Sequence, residues 1–258
     1  MDDPVLVDVS DRVGVVTLAR PEVRNALSPG LSAAIRDTVE ALQADDRVDV
    51  VILTGADPAF CAGVDLKALS AGDVAADVGV GRGPFLNRTK LLIGAVNGPA
   101  VAGGLELALN CDFLVASERA RFADTHARVG VMPGWGLTVL LPQRVGVARA
   151  REISVTGNFI DAETALAWGL VNHVVAHEEL LPFCRDLAAA CAAIDQRAVR
   201  RILGTYADVA RTTVAEGWKI EADVNHRWMR EAFDASKLDA DRGAIIGRGR
   251  EQAGTVRP

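Results

Sequence analysis

The segment IGAVNGPAVAGGLELALNCDFLVAS, residues 93–117, leaves this chain few conformational options. An apolar strand-like run, Leu92–Val96, enters an Asn-Gly-Pro turn, passes Gly103 and Gly104, and becomes an alanine- and leucine-rich helix starting near Leu105. Paired glycines at a helix start carry no Cβ, so the backbone is free to turn its N–H groups outward. The helix dipole adds partial positive charge at the same point. Together they make a donor site for an oxyanion. Glu106 lies in the first helical turn, so its carboxylate projects near whatever those N–H groups hold. An anion cradle beside a carboxylate suits proton transfer next to a carbonyl.

The flanking sequence sets this segment in an α/β frame. Residues 5–10 and 13–19 read as a β-hairpin turning at Asp11-Arg12. Leu31–Gln43 has apolar residues at helical spacing, and 49–55 is a continuous apolar strand, as in a sheet covered on both faces. Residues 56–70 lead through a turn into a helix start, and 71–84 are glycine-rich and expected to form a mobile loop. Beyond the strand 92–96, the helix 104–111 and the strand 112–116 comes a short strand in ERARFAD. Pro133-Gly134-Trp135-Gly136 then opens a helix running to about Arg144, and a further helix–strand unit ends near Val175. From about Glu178 the pattern is almost all helical. This order predicts an α/β core over residues 1–195 and a C-terminal helical region over 196–258. The amphipathic stretch Val214–Phe233, with Trp218, Ile220, Val224 and Trp228, reads as core or as subunit interface.

Half of the 258 residues are hydrophobic, ample for such a core. A net charge of −6 with scattered basic residues gives nucleic acid no electrostatic footprint. The acidic N-terminus, MDDPVLVDVS, lacks the pattern of a secretory signal, and no apolar run approaches the roughly 18 residues of a membrane span. A soluble cytoplasmic protein without nucleic-acid or membrane partners is expected. Cys61, Cys111, Cys184 and Cys191 form no CxxC pair and no metal-ligand spacing with the four histidines, so reduced thiols and no metal site are expected. There is no GxSxG elbow, Walker A loop or Rossmann fingerprint, and GVGRG at 79–83 lacks both the spacing and the preceding strand. Hydride and phosphoryl transfer therefore find no support.

Five segments in order, RPEVRNALS, AFCAGVDLK, AVNGPAVAGGLELALNCDFLVAS, RFAD…VGVMPG and ALAWGLVNHVV, resemble the crotonase, or enoyl-CoA hydratase/isomerase, superfamily over roughly residues 5–195. The resemblance implies a crotonase-like spiral of ββα turns with a C-terminal helical trimerisation region, giving a homotrimer or a dimer of trimers. It implies an acyl-CoA thioester substrate, of which coenzyme A is a part, and no separate cofactor. Its shared chemistry is a thioester enolate held by two backbone N–H groups, which the resemblance places at Val64, after Ala62-Gly63, and at Gly103. It also assigns coenzyme A contacts: Arg24 and Ala26 at the phosphate and adenine end, and Ala62, Asp65 and Leu66 along the adenine and pantetheine arm. Lys67 fits as a phosphate partner, a flexible ammonium suiting diffuse phosphate contacts. Outside the motifs, each of these residues reads as a surface charge or turn residue.

A hydratase of this family sets two glutamates about one water. Glu106 matches the first, but the second position is occupied by His126. Two readings of His126 stay open. An imidazole exchanges protons near neutrality, so His126 can deliver the α-proton while Glu106 activates water. Alternatively it shapes the pocket or hydrogen-bonds Glu106, and hydration is slow or absent. Asp124 is a possible substitute carboxylate, since residues 124 and 126 share a face if the segment is extended. Trp135 either packs or walls the acyl pocket, the Gly136 N–H is a candidate holder of the water, and 71–84 is expected to cover the acyl chain. In RGAIIGRGREQ, 242–252, Arg248 and Arg250 either replace a family lysine that reaches coenzyme A phosphates in a neighbouring subunit or are solvated charges.

Three functions compete. The first is hydration of an enoyl-CoA 2,3 double bond, as in fatty-acid β-oxidation, with Glu106 as principal acid/base and His126 assisting. The second is Δ3-Δ2 isomerisation or a related lyase reaction that needs one base. The third is acyl-CoA binding without catalysis, against which the retention of Glu106 argues.

Overall fold

The computed structural model describes residues 3–73, 83–85 and 88–255. Residues 74–82, most of the glycine-rich segment, lie outside the described residues, and so does the expectation that they form a loop over the acyl chain.

The chain opens with the expected hairpin, β1 (Val5–Ser10) and β2 (Val13–Leu18). Asp11 and Arg12 have φ of 48° and 65°, the positive pair required by a two-residue type I′ turn. Helix α1 (Pro29–Ala44) starts where the Ser28 hydroxyl accepts the Leu31 N–H at 3.2 Å, and it buries Leu31, Ile35, Val39 and Leu42 along one stripe. Every residue of β3 (Val50–Gly55) is buried. There follow α2 (Leu66–Ser70), β4 (Leu91–Val96), β5 (Pro99–Val101), α3 (Gly103–Leu109) and β6 (Phe113–Ser117). Then come β7 (Arg121–Ala123), α4 (His126–Val129), α5 (Leu137–Val145), α6 (Val147–Thr156), β8 (Ile160–Asp161), α7 (Ala162–Trp168) and β9 (His173–Val175). The helical end comprises α8 (Leu180–Ala192), α9 (Gln196–Val209), α10 (Val214–Glu231) and α11 (Ala235–Thr255).

The main sheet has six strands in the order β1-β2-β3-β4-β6-β9, parallel throughout after the initial hairpin. A second ladder of short pieces runs beside it. Leu27 bridges Val64, Cys61 bridges Ala100, β5 pairs with β7, and β7 pairs with β8. After each long strand the chain thus lays a short segment against the one left by the previous turn. That stepwise return is the expected ββα spiral. Of its short rungs, β7 is the short strand expected in ERARFAD, whereas β5 and β8, of three and two residues, cannot establish a period.

All seven residues of α3 are buried, and Leu105 and Leu107 join Phe60, Leu92, Leu114 and Phe122 among the large side chains fully inside the core. The chain divides into two compact units, residues 1–200 and 201–258. In the second, Val214 and Trp218 of α10 are 80% and 71% exposed, whereas Ile220, Val224 and Trp228 are half-buried. Among the described residues no helix is long and apolar enough to cross a membrane.

Candidate active site

Helix α3 begins at a strained backbone. Ala102 has φ 48° and ψ −114°, a conformation that costs a residue with a Cβ on the order of 1–3 kcal/mol. It is held there because its N–H donates to the Ala123 carbonyl at 2.9 Å and its own carbonyl accepts the Glu106 N–H at 2.9 Å. The reversal delivers the Gly103 N–H at the first helical position, where no intrahelical acceptor exists. On the neighbouring turn, the Leu27 N–H donates to the Gly63 carbonyl at 2.7 Å and the Asp65 N–H to the Leu27 carbonyl at 2.9 Å. That bridge leaves the intervening Val64 N–H unused. Among the described residues neither the Val64 nor the Gly103 N–H donates a hydrogen bond.

The two groups are neighbours. A methyl group built on Gly103 would lie 3.8 Å from the Val64 nitrogen, and one built on Gly63 would lie 3.5 Å from the Gly103 nitrogen. Gly63, at φ +90°, could not carry it, because the same methyl would come within 2.7 Å of the Val101 carbonyl oxygen. A cavity of about 330 Å³ opens here, lined by Leu27, Val64, Gly103, Glu106, His126 and Trp135 among others.

Glu106 is 3% exposed, and backbone donors grip its carboxylate. One oxygen accepts the Trp135 N–H at 2.7 Å and the Leu137 N–H at 3.2 Å, and the other accepts the Gly134 N–H at 3.4 Å. The Pro-Gly-Trp-Gly turn is therefore wrapped around the carboxylate, which offsets the cost of burying it.

His126 faces Glu106 with Nε2 at 3.6 Å from the nearer carboxylate oxygen. Its other ring nitrogen, Nδ1, is 2.6 Å from the Asp124 carboxylate, which also accepts the His126 backbone N–H at 3.1 Å. The segment is not extended, which corrects the sequence reading. β7 ends at Ala123, Thr125 has φ −102° and ψ 10°, and Asp124 folds back over the first turn of α4. Asp124 and His126 thus meet by a local turn rather than by sharing a strand face. Burial opposes a charge on the imidazole, but hydrogen bonding to Asp124 and the pull of Glu106 outweigh it and raise the His126 pKa to about 9. Burial likewise pushes Asp124 up, yet the hydrogen bonds from the His126 ring and backbone hold it below its ordinary value. These contacts favour the protonated form of the ring.

A pH dependence of stability follows. An unfolded histidine titrates near 6.5, so a folded value of about 9 means that this stabilisation is complete below the unfolded value and is lost as the pH rises through the folded one. Urea midpoints measured from about pH 6 to pH 10 are expected to fall across that window. Midpoints that stay flat there would show that His126 is not held as a cation.

Trp135 is 4% exposed and walls the cavity, and among the described residues its buried indole N–H has no hydrogen-bond partner. Gly136, at φ +97°, caps α5 and does not line the cavity; its neighbours Gly134, Trp135 and Leu137 hold Glu106. Of the residues assigned to coenzyme A, none is among the cavity's lining residues. Arg24, Ala26, Ala62 and Asp65 sit on two adjoining loops tied by the Ala62 N–H to the Arg24 carbonyl at 3.0 Å. Asp65 also caps α2, accepting the Lys67 N–H at 3.0 Å, while Leu66 and Lys67 are exposed. Arg248 and Arg250 are exposed on α11.

Sequence reasoning missed the clamp between those loops. Asn25 is fully buried at φ 55°, and its amide donates to the Ala56 and Ala59 carbonyls at 2.8 and 2.7 Å while accepting the Arg20 N–H at 2.9 Å. Its letter stands inside RPEVRNALS, but a tertiary partner more than thirty residues away leaves no local signal. Burial pushes the Cys61, Cys111 and Cys184 thiols up to about 12, which makes them inert as nucleophiles. Among the described residues no cluster of His, Cys, Asp and Glu could hold a metal ion.

Residues 8–237 match the sequence model of the family described as enoyl-CoA hydratase/isomerase. A probable peroxisomal enoyl-CoA hydratase 1 of Arabidopsis thaliana is 36% identical over 225 residues, which is 85% of this chain and 84% of that protein. A crotonyl-CoA hydratase of Syntrophomonas wolfei is 34% identical over 226 residues, 85% of this chain and 87% of its own. Among solved structures, an enoyl-CoA hydratase from Mycobacterium smegmatis superimposes with a TM-score of 0.76 at 49% identity, covering 90% of this chain and 100% of that one. An enoyl-CoA hydratase from Bacillus anthracis reaches a TM-score of 0.83 at 28% identity, covering 94% and 97%.

Proposed function

Since the chain belongs to the enoyl-CoA hydratase/isomerase family, we propose that it adds water across the 2,3 double bond of an enoyl-CoA thioester. One observation carries the reading: two adjacent, unused backbone N–H groups, at Val64 and Gly103, open on the same cavity as Glu106 and His126.

The thioester oxygen lies in the cradle of the two N–H groups. Each donor aimed at a developing oxyanion in a dry site is worth roughly 3–4 kcal/mol of transition-state stabilisation. Glu106, fixed by its three backbone donors, takes a proton from water as the water oxygen bonds to Cβ. The double-bond electrons move onto the thioester oxygen, giving the enolate. Protonation at Cα from the His126 side of the cavity completes the addition. Trp135 walls the acyl group. Arg24, Ala26, Ala62, Asp65, Leu66 and Lys67 receive the coenzyme A arm on the loops beside the cavity, and no cofactor beyond the substrate is required. The exposed apolar face of α10 suits assembly with further copies of the chain, in a trimer or a pair of trimers.

Double-bond migration is a second reading, because among the described residues Glu106 is the one cavity-lining carboxylate held by backbone donors. A steady-state assay of crotonyl-CoA, followed by loss of its enoyl absorbance, decides between them. Turnover on the order of 1–10³ s⁻¹ is expected. Conversion of a 3-enoyl thioester without hydration would favour the isomerase, and thioester binding without any turnover would leave only a binding protein.

A further inference from the structure

We infer that Asp124 is the positioning residue of the proposed hydration: it fixes the ring of His126 so that Nε2–H is the proton donor to Cα, leaving Glu106 as the base. The inference rests on the hydratase reading for its consequence and on geometry for its premise. Asp124 is 2% exposed, and one of its oxygens accepts both the ring Nδ1 and the backbone N–H of His126, at 2.6 and 3.1 Å. With Nδ1 committed to Asp124, only Nε2 is turned toward Glu106 and the cavity.

The charged groups facing His126 are Asp124 from the turn after β7 and Glu106 from α3, with Asp73 lining the same cavity next to α2; α6 contributes the uncharged Ser154. Both carboxylates in contact favour the cation, so the proton is present before the substrate arrives. The proton count closes. Water loses a proton to Glu106 as its oxygen bonds to Cβ, and the enolate takes the Nε2 proton at Cα. The neutral imidazole keeps its Nδ1–H on Asp124. A proton passing from the Glu106 carboxyl to Nε2, which are 3.6 Å apart at rest, restores the starting state. A second glutamate is then not needed, because a carboxylate-bound imidazolium supplies the acid.

The test pairs turnover with a readout that needs none. The His126 ring is titrated by nitrogen NMR in wild type and Asp124→Asn, and the pH profile of crotonyl-CoA hydration is measured for each. In wild type the ring is expected to titrate near 9, with the alkaline limb of kcat following it. Asp124→Asn should move both toward the ordinary histidine value of about 6.5 and lower kcat at neutral pH about 10–100-fold, with KM changed little. The wild-type titration needs no variant, and it carries the test if Asp124→Asn fails to fold. A wild-type ring that titrates near 6.5, or a ring and pH profile unmoved in Asp124→Asn, overturns the inference. Absence of wild-type hydration overturns the hydratase reading instead, and leaves the NMR result to judge the positioning.

Discussion

Replacing Glu106 with Gln is expected to lower kcat for crotonyl-CoA hydration by about 10²–10⁴-fold, the usual contribution of a positioned general acid or base. The substitution is close to isosteric. The side-chain oxygen can still accept the Trp135 and Leu137 N–H groups at 2.7 and 3.2 Å, so the Pro-Gly-Trp-Gly turn keeps its anchor. What disappears is the proton-accepting oxygen that faces His126 at 3.6 Å. Because the oxyanion donors are backbone groups, which a change of side chain at position 106 leaves in place, substrate affinity and KM should stay within a few-fold of wild type. A variant that retains kcat within threefold, with its fold verified by circular dichroism, would remove Glu106 from the mechanism. A variant in which KM rises and kcat holds would make Glu106 a binding residue only.

How much of this site could be read from the sequence depended on how local each interaction is. The Gly103–Glu106 relation is contained in one helical turn, so spacing alone revealed it. The pairing of Gly103 with Val64 is a tertiary contact between turns of the spiral, and only the ordered motifs of the family implied it. The clamp of Asn25 on Ala56 and Ala59 gave no signal at all, since no periodicity marks a buried polar side chain whose partners lie in another loop. Asp124 was seen, but for the wrong geometric reason. An extended segment would have placed it beside His126 as a rival carboxylate, whereas the turn at Thr125 places it behind the ring as a partner. The same limit held for the fold. Long apolar strands such as β3 announce themselves and β7 is legible in ERARFAD, while the rungs β5 and β8 are too short to do so and exist because each has a neighbour to pair with. Local pattern therefore reported the donors and the carboxylate, and tertiary pairing decided what they face.

Gly104→Ala is expected to damage stability and catalysis together. A methyl group at this position would come within 2.1 Å of the Cys61 carbonyl oxygen and 2.8 Å of its carbonyl carbon, both backbone atoms of a fully buried residue. Rotamer change gives no relief, so either α3 or the Cys61 segment must move. The Cys61 carbonyl is already committed to the Val101 N–H at 3.0 Å, and its own N–H to the Pro99 carbonyl at 3.0 Å, so a shift there disturbs the bridge that ties the two turns of the spiral. Overpacking of this kind costs about 1–3 kcal/mol, which for a domain of this size lowers Tm by roughly 2–4 °C per kcal/mol. The catalytic loss should exceed what the stability loss implies. Gly104 adjoins the Gly103 donor, and the Cys61 segment leads within three residues to the Val64 donor, so the displaced contact is the spacer between the two N–H groups. A misplacement on the order of 1 Å costs about 10²-fold in rate, and kcat should fall by that order under conditions where the variant is still folded. Glycine at 104 is then a requirement of the reaction as well as of packing. A folded Gly104→Ala enzyme with wild-type kcat would show that the two donors are set independently, and the paired cradle would lose its structural basis.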